Sequence, residues 1–335
     1  MKVLLTLLAF QMLSAQAARD VIIDTDPGVD DALALLVALH SPELKIDGIT
    51  VVAGNVPLSV GLRNALRLVE ASHRADVPVA AGAAKPLRRK LATATYVHGV
   101  DGLGGAVIAE PTIRPVHETA VELIRRVVHA KPRQVTVIAI GPLTNIAEAL
   151  QSDPALARDI QQIVLMGGAL HGGNMTPVAE FNIYVDPEAA RAVFHSGVPI
   201  VMSPWDASQD VVLTPEIAAG IHPNQPGSVI ANAAIQTAKQ RGRPGMTMFD
   251  PVAVAAFLDP SLVTTQKMYV DVETAGELTA GQTIGYLRAP IRGSVPLDGQ
   301  LGSAVRTDQF KPNADVIVKV DSARFFQLMI ERLNR

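Results

Sequence analysis

The chain has no cysteine among its 335 residues. Disulfides, thiolate metal sites, a cysteine nucleophile and a lipid-modified cysteine behind a leader are therefore excluded. Aromatic residues make up only 4%, so the core must be built from Ala, Val, Ile and Leu within the 48% that is hydrophobic. Charge is nearly balanced, at a formal net −3. No block of basic residues and no basic stretch rich in aromatics is present, which argues against nucleic acid as a partner.

What is present begins with an N-terminal pattern. Lys2 precedes the apolar run Val3–Leu13, and Ala15-Gln16-Ala17 offers an A-x-A cleavage site. The run is short for a membrane span, and the whole reads as a secretory signal peptide over residues 1–17. The mature protein is then periplasmic or secreted, with no stable membrane association after cleavage. It is cytoplasmic if the leader does not function, and the competing structural reading is a buried N-terminal strand or helix. Residues 18–335 show no linker or internal repeat and are read as a single domain.

The most informative stretch is DVIIDTDPGVDDAL, residues 20–33. The apolar run Val21–Ile23 predicts a buried strand. Asp24 and Asp26 follow with the two-residue spacing that shares one face. Pro27-Gly28 turns the chain, and Asp30 and Asp31 open a helix predicted to reach His40. A lone Asp at a helix start is adequately explained as a cap. Four carboxylates at one strand end are not, and oxygen ligands of this kind favour a hard cation, Ca²⁺ or Mg²⁺. An EF-hand loop is rejected because position twelve from Asp24 is Leu35, not Glu. A strand ending in Asp-x-Asp also resembles the haloacid-dehalogenase phosphatases, but only over these few residues.

Short apolar runs alternate with helical patterns along the chain. Strands are expected at Val21–Ile23, Ile46–Val52, Val135–Ile140, Gln162–Met166 and Pro199–Met202. Helices are expected at Asp31–His40, Val60–Ser72, Val116–Ala130, Asn145–Gln151 and Pro187–Ser196. This alternation predicts βαβ units and an α/β fold with an open, mostly parallel sheet. Ligands in such folds bind at the carboxyl ends of strands. The polar groups follow that rule: Asp24 and Asp26 end the first strand, Asn55 the second, and Gly167-Gly168 another. Asn145 is read as capping the helix it begins, and Thr214–Met248, rich in Pro, Gly and Gln with some helix potential, as a mobile flap over the site.

Taken together, these segments resemble the nucleoside hydrolase family, the inosine–uridine-preferring ribohydrolases. DTDPGVDDA is the signature. VVAGN, YVHGVDGLGG, IGPLTNIA, VLMGG, GNMTPVAEFNIYVDPEAA, FDPVAV, GELTAGQT and VDSARFF follow in the family's order. The resemblance implies a Rossmann-like core with a mixed sheet, one bound Ca²⁺, and hydrolysis of the N-glycosidic bond of a ribonucleoside to ribose and free base. It implies that Asp26, Asp31, Asp250 and the backbone carbonyl of Ile140 hold the metal, and that Asp26 is the general base. Asp30, Asn174, Glu180 and Asn182 correspond to residues that hold the ribose hydroxyls, and Asn55 to a further polar contact. The family commonly forms dimers or tetramers, so a homo-oligomer is expected.

One position departs from the pattern. Where a large subgroup has the histidine that protonates the departing base, this chain has Phe249. Phe249 is read as a stacking surface for the base or as core beside Asp250. His98 is then the residue expected to contact or protonate the base, with Tyr96 and Arg243 as further candidates. Met166 is read as core or pocket wall. Stacking on Phe249 leans the expectation to purine or broad specificity. The competing functions are a non-catalytic periplasmic nucleoside-binding protein, motivated by the missing histidine, and a metal-dependent phosphatase built on Asp24 and Asp26.

Overall fold

The computed structural model of the protein describes residues 17–286 and 311–335. Apart from its last residue, the expected leader lies outside the described residues. The strands are β1 (Arg19–Thr25), β2 (Leu44–Val51), β3 (Val79–Ala81), β4 (Thr136–Ala139), β5 (Gln162–Met166), β6 (Ile200–Ser203), β7 (Val212–Leu213), β8 (Met246–Thr247), β9 (Val263–Val272), β10 (Thr283–Tyr286) and β11 (Ala314–Val320). The helices are α1 (Val29–Leu39), α2 (Leu58–Ala71), α3 (Thr95–His98), α4 (Ala120–Ala130), α5 (Thr144–Ser152), α6 (Leu156–Asp159), α7 (Phe181–Val185), α8 (Pro187–Phe194), α9 (Pro215–Ala218), α10 (Pro226–Gln240), α11 (Asp250–Leu258) and α12 (Ser322–Leu333).

Among the described residues, nine strands form one open sheet in the order β10-β9-β11-β6-β5-β4-β1-β2-β3. From β3 to β6 and on to β11 the pairings are parallel; β9 pairs antiparallel with both β11 and β10. The sheet is thus mixed and mostly parallel, as the alternation of strand and helix patterns predicts. Strand alternation divides the core. In β1, Val21 and Ile23 face one apolar cluster, with α1, α10, α11 and α12, while Ile22 faces the other, with α4, α5 and α8. Both faces are covered, which is why the central strands read as continuous apolar runs.

The strand order fixes where a ligand can bind. From β1 the chain proceeds to β2 and β3 on one side, and from β4 to β5 and β6 on the other. The neighbouring carboxyl ends of β1 and β4 therefore form a topological switch point, the place where open α/β sheets hold ligands. Asp26 follows β1 and Ile140 follows β4. The two strand ends are tied by the Ile140 N–H, which donates to the Asp24 carbonyl at 2.8 Å.

The flap reading of Thr214–Met248 needs correction. The longest element of that segment is α10, whose Ile230, Ala231, Ala234, Ile235 and Ala238 are buried in the same cluster as α1. Pro, Gly and Gln gave the segment a loop-like composition. The apolar residues repeat at helical spacing, however, and Pro226 begins the helix, where its missing N–H costs nothing.

Candidate active site

Asp31 occupies the third position of α1. Its carboxylate accepts from the Gly28 N–H at 3.0 Å, the Thr25 hydroxyl at 2.7 Å and the Asn55 side-chain amide at 2.8 Å. The capping reading therefore describes Asp31 well, since it closes the start of α1. Asp26 is different. Its Oδ2 accepts from the Asn55 N–H at 2.6 Å, but Oδ1 has no partner, and the residue is fully buried. Gly141 faces that orphan oxygen so closely that a Cβ there would meet it at 2.6 Å. The space around Oδ1 is kept clear by the absence of a side chain.

Asp24 serves a separate network. Its Oδ1 accepts from the Thr50 hydroxyl and from the Asn145 amide at 2.7 Å. The Asn145 side chain also accepts from the Ala83 N–H at 2.8 Å. Asn145 is thus not a helix cap but a brace joining β1 to the loop after β3. The reason is local: α5 begins one residue earlier, at Thr144.

Asp250 opens α11 far along the chain, and α11 packs directly on α1. Carboxylate oxygens of Asp30, Asp31 and Asp250 come within 4.8 Å of one another, all from buried residues. Burial first, then the mutual charge of these groups, pushes the Asp26 and Asp250 carboxyls well above the usual range. The same causes raise Asp30 to about 7. Burial alone raises Glu180 to about 7 against the hydrogen bonds it accepts. Such crowding is unfavourable unless a cation compensates it, because both desolvation and like charge oppose ionisation. An orphan oxygen on Asp26, another on Asp30 and an all-oxygen donor set fit a hard cation of the calcium or magnesium kind. The geometry places Asp30 with this acid group, as the four-carboxylate cluster predicts, as well as on the pocket wall, where the resemblance puts it.

Above the acids lies a cavity of about 260 Å³. Asp30, Asn55, His98, Met166, Asn174, Glu180, Asn182, Phe249 and Asp250 all line it. Asp26, Asp31 and Ile140 lie beneath that wall. Asn182 links the layers: its amide donates to the Ile140 carbonyl at 3.2 Å and the Met166 carbonyl at 3.1 Å. Glu180 receives the N–H groups of Gly168, Asn182 and Ile183, which fixes its carboxylate at the start of α7. Asn174 accepts from the Phe181 N–H at 2.8 Å. Met166 and Phe249 both pack on the core while showing a face to the cavity.

His98 sits at the end of α3, buried. Its Nδ1 accepts from the Val29 N–H at 3.1 Å, so the ring proton resides on Nε2. Burial, and secondarily the charge of Arg241, push its pKa down to about 3. The ring is neutral and can donate a hydrogen bond through Nε2. The other walls are Tyr96, Trp205, Arg241, Arg243 and Thr247 among others. Trp205 and Arg241 were not singled out by the sequence reading. Trp205 is the chain's sole Trp, two residues past β6 at the carboxyl edge of the sheet, and that was the available signal.

Comparison with known proteins agrees with this geometry. Residues 21–327 match the family model for inosine-uridine preferring nucleoside hydrolases. A pyrimidine-specific ribonucleoside hydrolase from Salmonella gallinarum is 42% identical over 95% of this chain and 99% of its own length. Its counterpart from Citrobacter koseri is 41% identical over 94% and 98%. Among solved structures, a plant nucleoside hydrolase superimposes with a TM-score of 0.84 at 34% identity, covering 94% of this chain and 99% of that one. A purine-preferring ribonucleoside hydrolase from Gardnerella vaginalis gives 0.82 at 31%, covering 94% and 98%. With a strand-end acid cluster below a polar cavity, and with these relatives spanning nearly its whole length, the chain belongs to the nucleoside hydrolase family and is a ribonucleoside hydrolase.

Proposed function

We propose that the protein is a Ca²⁺-dependent hydrolase of pyrimidine ribonucleosides. The observation that carries the metal dependence is Asp26 Oδ1, fully buried, without a hydrogen-bond partner, among three further buried aspartates. Asp26, Asp31, Asp250 and the Ile140 carbonyl would hold the ion, with Asp30 beside them. When bound, calcium supplies the positive charge that offsets these carboxylates and makes a nearby water easier to deprotonate.

The chain's own residues do the rest. Asp26 takes the proton of the attacking water through its free oxygen. Asp30, Asn55, Asn174, Glu180 and Asn182 grip the ribose hydroxyls, which orients the anomeric carbon towards that water. The C1′–N bond breaks as the ring gains oxocarbenium character. His98 donates Nε2–H to the base rather than acting as a charged acid.

For the base, the sequence pointed to purine or broad specificity through Phe249. Two observations move the proposal to pyrimidines. Phe249 spends part of its surface on the core, which reduces the stacking area it can offer. The curated relatives at 41–42% identity are described as pyrimidine-specific, whereas the purine-preferring structural relative is 31% identical. The test is release of base and ribose by the metal-stripped protein with and without added Ca²⁺, on uridine, cytidine, inosine and guanosine. Calcium-dependent turnover with uridine and cytidine ahead is expected. Turnover indifferent to chelation refutes the metal role, and faster purine cleavage refutes the base assignment.

A further inference from the structure

A departing nucleobase carries away the electron pair of the C1′–N bond. On a pyrimidine that charge spreads over the ring nitrogen and the neighbouring carbonyl oxygen. Something in the pocket must meet it, and the two obvious residues do not carry charge. Phe249 has no polar atom. His98 offers one N–H from a ring whose other nitrogen is already engaged by Val29. Among the described residues lining the cavity, the permanent cations are Arg241 and Arg243.

The way the chain delivers them is visible. Arg241 caps α10, and its N–H donates to the Ala238 carbonyl at 3.1 Å. Gly242 follows in the left-handed region, at φ 71°, and donates to the Lys239 carbonyl. Arg243 then donates back to the Ala238 carbonyl at 2.9 Å. This is a Schellman ending, in which a glycine lets the chain reverse. It fixes the backbone of Arg241 at the mouth while α10 stays anchored in the core. The Arg241 guanidinium lies 5.8 Å from the centre of the Tyr96 ring, on the same short helix that carries His98. A cation over an aromatic face is held in place without losing its free N–H groups.

We propose that Arg241 stabilises the negative charge developing on the departing base, the part that a protonated histidine would otherwise play. This rests on the ribonucleoside hydrolase reading and extends it. An arginine does not give up its proton at physiological pH, so it acts by charge and hydrogen bonding alone. In the step, the water oxygen bonds to C1′ and its proton goes to Asp26. The C1′–N bond breaks, and its electron pair leaves on the base against the guanidinium. The base anion then takes a proton from solvent. The planar fork of donors suits the adjacent nitrogen and carbonyl oxygen of a uracil or cytosine anion.

The test separates this role from a structural one by varying the leaving group. Arg241→Gln, Arg241→Lys and Arg243→Gln are compared with the unaltered enzyme, in calcium, on uridine and on p-nitrophenyl ribofuranoside. The nitrophenolate departs as a stable anion and needs little help. Arg241→Gln is expected to lower kcat on uridine about a hundredfold. On the nitrophenyl substrate it should change kcat by less than about threefold, with Arg241→Lys recovering part of the uridine loss. Equal losses on both substrates would make Arg241 a structural or positioning residue and overturn the proposal. The selective loss appearing in Arg243→Gln instead would also overturn it. If the unaltered enzyme releases neither base nor nitrophenolate, the ribonucleoside hydrolase reading falls, and this proposal with it.

Discussion

Asp26 and Asp31, at the floor of the pocket, have no exposed surface, whereas Tyr96, at its mouth, leaves 60% of its surface in water. The floor is assembled from strand ends and the first turns of α1 and α11. The mouth is assembled from the short helix α3, Trp205 in the connection after β6, and the turn that ends α10. Within the floor, Asp31 is located by the Thr25 hydroxyl, the Gly28 N–H and the Asn55 amide at once, and Asp26 by the Asn55 N–H, with both aspartates fully buried. The mouth has fewer constraints, which suits a surface that selects among bases while the sugar chemistry stays fixed.

If the floor does the chemistry, the largest effect lies there. Asp26→Asn keeps the shape and removes the basic oxygen; kcat is expected to fall by about 10³-fold or more. Near-normal turnover would show that the water is activated elsewhere. The folded protein should still bind nucleoside, and equilibrium dialysis would check that.

Next in size is the coupling of metal, pH and stability. Without metal, Asp30 and Glu180 stand at about 7, and burial and mutual charge hold Asp26 and Asp250 well above the usual carboxylate range as well. These are raised carboxyl values, so the unfolded chain ionises first as pH rises. The metal-free protein is therefore expected to lose stability steadily from about pH 4 upward through 7. Calcium should offset this, so the Tm gained on adding it should be larger at pH 8 than at pH 5. Thermal melts at both pH values decide the matter, and an equal gain would mean the acids are not what the ion relieves.

The sugar grip comes third. Replacing uridine by 2′-deoxyuridine removes partners of Asp30, Glu180 and the asparagines, and about a hundredfold loss in kcat/KM is expected. A deoxy substrate cleaved equally well would break the assignment of these residues to ribose. Apart from the loss proposed for Arg241→Gln, the smallest effects belong to the mouth. His98→Phe is expected to cost about tenfold on uridine, the worth of one hydrogen bond. Tyr96→Ala should cost a few-fold at most and should change the ranking of bases more than the rate. A floor-sized loss from Tyr96→Ala would erase the contrast between the two ends.

The floor was largely legible in the sequence and the mouth only in part: His98, Tyr96 and Arg243 stood out, Trp205 and Arg241 did not. Asp24 to Asp31 are close in the chain, so an apolar run, a Pro-Gly turn and a helical pattern place them without knowledge of the rest. The central strands were found because burial on both faces leaves continuous apolar runs. Strand β9, second from the sheet's end, was missed because its first half is largely exposed and lacks that signal. Asn145 was misread because its partners, Asp24 and Ala83, are distant in sequence and nothing local distinguishes a brace from a cap. Arg241 looked like any charged residue after a helix, since only the packing of α10 on α1 brings it to the pocket.

The sequence by itself determined the α/β class, the strand-end carboxylates, the family resemblance and the loss of the histidine before Asp250. Those follow from short-range periodicity, turn chemistry and ordered motifs. Tertiary structure alone decided that Asp30 joins Asp31 and Asp250, that Asp26 keeps a free oxygen, that His98 has its Nδ1 filled, and that Arg241 meets Tyr96 at the mouth. Each of these depends on contacts between segments far apart in the chain, where hydrogen-bond partners and desolvation are set by the packing of whole elements.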